Sequence, residues 1–384
     1  MYGMGADAGR VRVAIVTESF LPQVNGVTNS VVQVLAHLRR HRIQSLVVAP
    51  GAGPDRHEDT PVVRLPAVDF PFVASLPVGL PTRRVLTALA DFKPDVVHLA
   101  SPFVVGARGL SAARKLGLPT IAVYQTDIAG FAGSYGFGLG ARTAWRWTKR
   151  LHTLATRTLA PSTWAVRELR ERGVPRVHRW GRGVDVERYD PRKRDSKLHR
   201  QLAPNGELLV GFVGRLAPEK RVDRLAALND VPGVRVVVVG AGPDEQLLRD
   251  KMPGAAFLGL TTGEELARVY ASLDVFVHTG PHETFCQTVQ EALASGLPAI
   301  APDAGGPSDL IDDGRTGFLL PPWADDEFAA GLRRSIDLLR DGATRAAFGA
   351  AARRAVQART WPAVCDELLG HYAELLDQPE SRCA

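Results

Sequence analysis

The chain has 384 residues, of which 45% are hydrophobic and 23% charged, and this excludes a disordered, collagen-like or disulfide-stapled protein. Its length exceeds one comfortable hydrophobic core and points to two domains of similar size. The formal charge of +6 favours an anionic partner, whether phosphate, lipid headgroup or nucleic acid, without choosing among them.

No apolar run approaches the roughly 20 residues that cross a bilayer, and the N-terminus MYGMGADAGRVRVAIV has no apolar stretch ahead of its first strand. A cytoplasmic protein is expected. Cys286, Cys365 and Cys383 are widely spaced, which suits reduced thiols. The strand VRVAIVTESF runs into LPQVNGVTNSVVQVLAHLRR, where Gly26 allows a ligand to approach the backbone before a helix N-terminus that can hold a diphosphate. Alternatively, Gly26 only permits a tight turn before a helix capped by Thr28 or Ser30. Further β-branched runs, SLVVAP, PVVRLP, DVVHLA, TIAVYQT and TLAPS, alternate with helical patterns and predict a parallel, doubly wound sheet.

Between 142 and 182 the cations Arg142, Arg146, Lys149, Arg150, Arg157, Arg167, Arg170, Arg172, Arg176, Arg179 and Arg182 are opposed locally by Glu168 and Glu171, with Trp145, Trp147 and Trp164 among them. Such a stretch reads either as a solvated helical face or as a membrane-surface patch. The aromatics have no RNA-binding arrangement, so nucleic acid is not an expected partner. The polar stretch RGVDVERYDPRKRDSKLHRQLAPNG then breaks the pattern and places the domain change at 183/184.

The same grammar restarts with LLVGFVGRL, VRVVVVG, AAFLGL, VFVHTG, PAIAPDA and GFLLPP, which predicts a second Rossmann-like domain. VVVVGAGPDE lacks the third glycine of a dinucleotide fingerprint and reads as a strand-to-helix turn. GFVGRLAPEK delivers Arg215 and Lys220 to the mouth of a sheet, where a guanidinium and an ammonium can neutralise a diphosphate without a metal. In VFVHTGPHETFCQTVQEALASG, Glu283 lies in a loop and Glu291 on the helix it feeds, with Phe285, Cys286, Gln287 and Thr288 read as the helix N-terminus. Carboxylates there can accept hydrogen bonds from sugar and ribose hydroxyls. Asp185, Val186 and Glu187 in the polar stretch make no convincing D-x-D metal motif, so no metal is expected. The last segment, TWPAVCDELLGHYAELL, predicts a helix with Pro362 in its first turn.

The E-x7-E spacing of Glu283 and Glu291, with ALASGLPAIAPDAGGPSDLI, GRLAPEK and WPAVCDELLGHY, resembles the GT4 family of retaining GT-B glycosyltransferases over nearly the whole chain. TESFLPQVNGVTNSVVQVL, DVVHLASP, AVYQTDIAGFA and HETFCQTVQEALASGLP resemble its actinobacterial GDP-mannose-dependent α-mannosyltransferases of glycolipid and lipomannan assembly. They are also similar to sulfolipid synthases, which use a UDP-sugar. The resemblance implies a GT-B fold of two Rossmann-like domains facing a cleft: 1–183 with a returning 362–384 on the acceptor side, and 184–361 on the donor side. It implies that Arg215 and Lys220 bind the donor diphosphate, Gly26 admits its phosphates, and Glu291 binds the ribose. Glu283 and the backbone from Phe285 to Thr288 would position the transferred sugar. The family often places a histidine near the end of an N-domain strand; here Gln125 stands in its place, between Tyr124 and Asp127, which are expected on the acceptor side. A nucleotide-sugar donor such as GDP-mannose, a glycolipid acceptor, the anionic inner face of the cell membrane and metal-free retaining transfer are the implied partners and chemistry. A nucleotide-sugar epimerase and a non-catalytic nucleotide-sugar sensor are the rival readings.

Overall fold

A computed structural model describes residues 11–23, 25–68, 78–79, 82–125 and 138–377. These residues form two compact units: one runs to Gly181 and resumes at Pro362, and the other is Arg182–Trp361.

In the first unit the strands are β1 (Arg12–Thr17), β2 (Gln44–Pro50), β3 (Arg56–His57), β4 (Thr60–Leu65), β5 (Ala67–Val68), β6 (Val78–Gly79), β7 (Val96–Ala100), β8 (Thr120–Val123), β9 (Arg157–Ala160) and β10 (Val177–Arg179). Its main sheet has the order β10-β9-β8-β7-β1-β2-β4-β3, parallel except for the short edge strand β3. The middle strands β7 and β8 are buried at every position, because helices cover both faces and leave no polar side for alternation. Chain order reverses between β1 and β7, with Ile15 opposite Val47 on one side and His98 on the other. The final helix, Trp361–Leu376, packs on this unit, burying Leu368 and Tyr372. Tyr372 Oη and His98 Nδ1 share a 2.7 Å hydrogen bond, and Trp180 Nε1 donates to Val364 O at 2.8 Å. Burial takes the His98 pKa down to about 4, so the pair is a neutral core contact.

The second unit contains β11 (Leu208–Val213), β12 (Val234–Val239), β13 (Ala256–Gly259), β14 (Val275–Val277), β15 (Ala299–Pro302) and β16 (Gly317–Leu320). All are parallel, in the order β13-β12-β11-β14-β15-β16, with one apolar cluster on each face of the sheet. The glycines of VVVVGAGPDE have a packing role. A Cβ on Gly240 would lie 1.9 Å from Gly214 O, and one on Gly242 2.1 Å from Leu216 O, so the turns after β11 and β12 can touch only through glycine. Here too the strand order reverses, between β11 and β14, and ligands of open α/β sheets bind outside the carboxyl ends of strands at such a point.

Candidate functional site

The reversal point of the second unit gathers charge. β11 ends at Val213 and leads through Arg215 into a single 3-10 turn, Pro218–Lys220. β14 ends at Val277 and leads to His278, whose backbone N–H donates to Ile300 O at 2.8 Å. Lys220 Nζ donates to Glu283 Oε1, and His278 Nε2 lies 3.3 Å from the same oxygen. Arg215 Nη2 donates to Glu219 Oε1 one turn away. The turn is tied down by Thr279 Oγ1, which donates to Lys220 O at 2.7 Å, and by the buried Arg224, which donates to Thr279 O and to Asp325.

Glu283, despite burial that opposes its charge, is held well below the usual carboxylate range by Lys220 and His278. Burial disfavours the Lys220 ammonium, but Glu283 outweighs it and raises its pKa. His278, 2% exposed, is likewise opposed by burial and held charged by Cys286 and Glu283, up to about 10. Arg182 enters the same field: burial brings it down to about 10, and the charge of Glu283 supports it. Arg182, Arg215, Lys220 and His278 therefore face two carboxylates, Glu219 and Glu283, leaving an excess of positive charge suited to a diphosphate.

The helix Gln287–Ala294 points its N-terminus out of this loop with no side-chain cap, so its first N–H groups and positive dipole end add to the field. It begins later than the sequence suggests. Cys286 has φ +75° and stands outside the helix as its N-cap, and Phe285 is a core residue at 5% exposure. The Gln287 side chain is committed elsewhere: its Nε2 donates to Gly183 O at 3.0 Å, as Gln290 Nε2 does to Arg182 O. Thr288 is the second residue of the helix. The loop after β15 closes on this segment, with Gly306 N donating to Glu283 O at 2.8 Å where a Cβ would meet Phe285 O at 1.9 Å.

Glu291 stands apart from the ion pairs. Tyr270 Oη lies 3.4 Å from its Oε2, and burial pushes the carboxyl up to about 7 against the hydrogen bonds of Tyr270, Gln287 and Tyr189. Near neutrality it can both accept and, when protonated, donate.

The remaining predicted residues belong to the first unit. The helix Gly26–Arg40 starts at Gly26 itself, and its cap is Asn25, not Thr28 or Ser30: Asn25 Oδ1 accepts from Val27 N and Thr28 N, each at 3.0 Å. Tyr124 is 3% exposed, with its ring against Trp145 and His152. Gln125 is 7% exposed beside a cavity of about 10 Å³, room for about one water, lined also by Ser101, Tyr124 and His152. Asp127 lies outside the described residues. Of the cationic stretch, Arg142, Arg146, Lys149, Arg150, Arg167, Arg170, Arg172, Arg176 and Arg179 are exposed. Arg157 is buried and pairs with Glu374 at 2.5 Å, and Arg172 lies 3.8 Å over the Trp145 ring. Among the described residues no helix is long and apolar enough to cross a membrane.

Two parallel doubly wound units, one with a cationic reversal point, are the architecture of the GT-B fold. Residues 24–188 match the family Glycosyltransferase Family 4, and residues 193–355 match Glycosyl transferases group 1. The chain is 58% identical over 368 residues to a GDP-mannose-dependent alpha-mannosyltransferase of Mycobacterium tuberculosis, covering 94% of this chain and 96% of the relative. It is 46% identical to a Corynebacterium glutamicum protein of the same description, over 95% of this chain and 89% of the relative. A sulfoquinovosyl transferase of Arabidopsis thaliana is 32% identical over 93% of this chain and 72% of its own. Among solved structures, Anabaena Alr3699/HepE in complex with UDP superposes with a TM-score of 0.77 at 21% identity, covering 95% of this chain and 100% of its own. The chain belongs to glycosyltransferase family 4 and is a glycosyltransferase.

His278 and Arg182 are the site residues that sequence reasoning missed. The signal for His278 was a polar residue at the end of a buried β-branched strand, VFVHTG.

Proposed function

We propose that this chain transfers mannose from GDP-mannose to a glycolipid acceptor at an anionic membrane surface, with retention of configuration and no metal. The observation that carries the donor is the identity of 46–58% to relatives described as GDP-mannose-dependent alpha-mannosyltransferases. In this reading Arg215, Lys220, His278 and the free helix end at Gln287 and Thr288 hold the diphosphate. Glu291 accepts from the ribose hydroxyls, and Glu283, held ionised by Lys220 and His278, accepts from the sugar. Gly26 admits the donor phosphates, and Gln125 holds a sugar hydroxyl.

The bond between C1 and the leaving phosphate oxygen breaks as the acceptor oxygen bonds C1 on the same face. The acceptor proton passes to the leaving phosphate, so the products are GDP and the mannosylated acceptor. The protein's contribution is stabilisation of the departing charge. The exposed cations between Arg142 and Arg179 support an anionic membrane surface, where each is worth about 1 kcal/mol.

The test is transfer to lipid acceptors on anionic vesicles, in excess chelator, with GDP-mannose set against UDP-sugars. GDP-mannose should give a mannolipid of unchanged anomeric configuration. Transfer from a UDP-sugar alone would move the reading toward the Arabidopsis relative, and an absolute need for added divalent ion would end the metal-free mechanism.

A further inference from the structure

A second cluster of ligating side chains lies in the first unit. The helix Gly26–Arg40 carries His37 in its last turn and, four residues on at its C-cap, His41. The helix Trp361–Leu376 brings Asp366 across from them. Asp366 Oδ1 lies 3.0 Å from His37 Nε2 and 3.8 Å from His41 Nε2, and the two imidazole centroids are 4.5 Å apart. One donor atom from each of the three lies within 4.8 Å of the others.

A small divalent ion needs this spacing. With zinc–nitrogen and zinc–oxygen bonds of about 2.0–2.2 Å, neighbouring ligand atoms of a tetrahedral site stand about 3.3–3.5 Å apart, and the separations of 3.0 and 3.8 Å straddle that value. Two histidines four residues apart on a helix are a recurrent way to present two imidazoles to one ion, and His37 with the C-cap His41 has that spacing. The His37 side chain is only 5% exposed and its Nε2 points at the carboxylate, while its Nδ1 has no hydrogen-bond partner among the described residues. His41 and Asp366 are 45% and 63% exposed, which gives an ion a way in and leaves water the fourth position. Burial lowers the His37 pKa against the pull of Asp366, and neutral imidazole is the form that binds metal. The exposed Arg40 is the nearby cation that opposes an ion, through solvent.

We propose that His37, His41 and Asp366 form a zinc site, completed by water, that pins the C-terminal helix to the first helix of the unit. The ligands come from segments more than three hundred residues apart in sequence, so occupancy fastens the end of the chain to its beginning. The site shares no residue with the donor-binding set.

A rival location exists at His278, Glu283 and Cys286, whose ligand atoms also lie within 4.8 Å of one another. There Lys220 already occupies Glu283, so a cation would have to displace a cation. The full-length chain, stripped with chelator, is titrated with Zn²⁺ alone and in parallel with Co²⁺, following the melting temperature, the cobalt absorption and amide exchange across Trp361–Leu376. One equivalent should raise the melting temperature and slow exchange in that helix, with four-coordinate cobalt bands and no sulfur-to-cobalt charge transfer. His41→Ala and Asp366→Asn, changes at exposed side chains, should keep the metal-free melting temperature and the transferase activity. Each should weaken the metal by more than about tenfold, since even outer-shell partners of a metal are worth about 10–100-fold. Absence of stabilisation, equal stabilisation in both variants, or a sulfur-to-cobalt band that places the ion at Cys286 would each overturn the site.

Discussion

Lys220→Ala should lower kcat by about 100- to 1000-fold at saturating donor, the usual loss when one preorganised donor to developing charge is removed. The protein should remain folded. Removing one partner of a buried ion pair can cost about 3–5 kcal/mol when the other is left uncompensated. Glu283 would keep His278 at 3.3 Å, and the Lys220 side chain is already 24% exposed, so the structural loss should be smaller than that range. Circular dichroism melting and steady-state kinetics on the same preparation separate the two effects. Turnover within a few-fold of wild type would remove Lys220 from the charge-stabilising role, and an unfolded variant would make the pair structural first.

Glu291 should show the opposite pattern, with stability and binding moving apart. Its folded pKa stands near 7, above the ordinary value of 4.5. A carboxyl raised in this way costs nothing below its unfolded pKa, and its destabilising effect grows as pH rises through about 7. Glu291→Gln should therefore melt higher than wild type at pH 8 and converge with it below pH 4.5. If the ionised carboxylate accepts the ribose hydroxyls, donor affinity in the wild type should be flat above about pH 7 and fall by up to about tenfold per unit below it. Glu291→Gln should bind the donor about 10- to 100-fold more weakly, as expected for lost hydrogen bonds to a charged group, and with no such pH dependence. A variant that gains stability and keeps full affinity would make Glu291 a core residue only.

Much of this was legible in the chain. The β-branched runs become strands because helices cover both faces of each sheet, and such coverage leaves its mark in sequence as unbroken apolar stretches, as at Val96–Ala100. Arg215, Lys220, Glu283 and Glu291 stood out because three of them meet a strand end or a loop, and the structure brings Lys220 and Glu283 into one ion pair.

What escaped was set by neighbours distant in sequence. His278 matters because β14 lies beside β11, which only the strand order reveals. Arg182 sits in the polar connecting stretch and becomes a site residue only once that segment folds under Gln287 and Gln290. Tyr124 follows a strand, and its contacts with Trp145 and His152 show only in the fold. Phe285 and Cys286 fall outside the helix because Cys286 takes a left-handed conformation, a choice that composition does not announce. Asn25 displaced Thr28 and Ser30 as the cap because the helix starts earlier than its apolar periodicity does.

The central claim is that the reversal point between β11 and β14 grips a diphosphate, and calorimetric titration of GDP and GMP tests it most directly. GDP should bind the wild type far more tightly than GMP, and Arg215→Ala or Lys220→Ala should erase most of that difference while leaving GMP affinity nearly unchanged. Equal affinity of the two nucleotides, or a GDP preference that survives loss of either cation, would contradict the account.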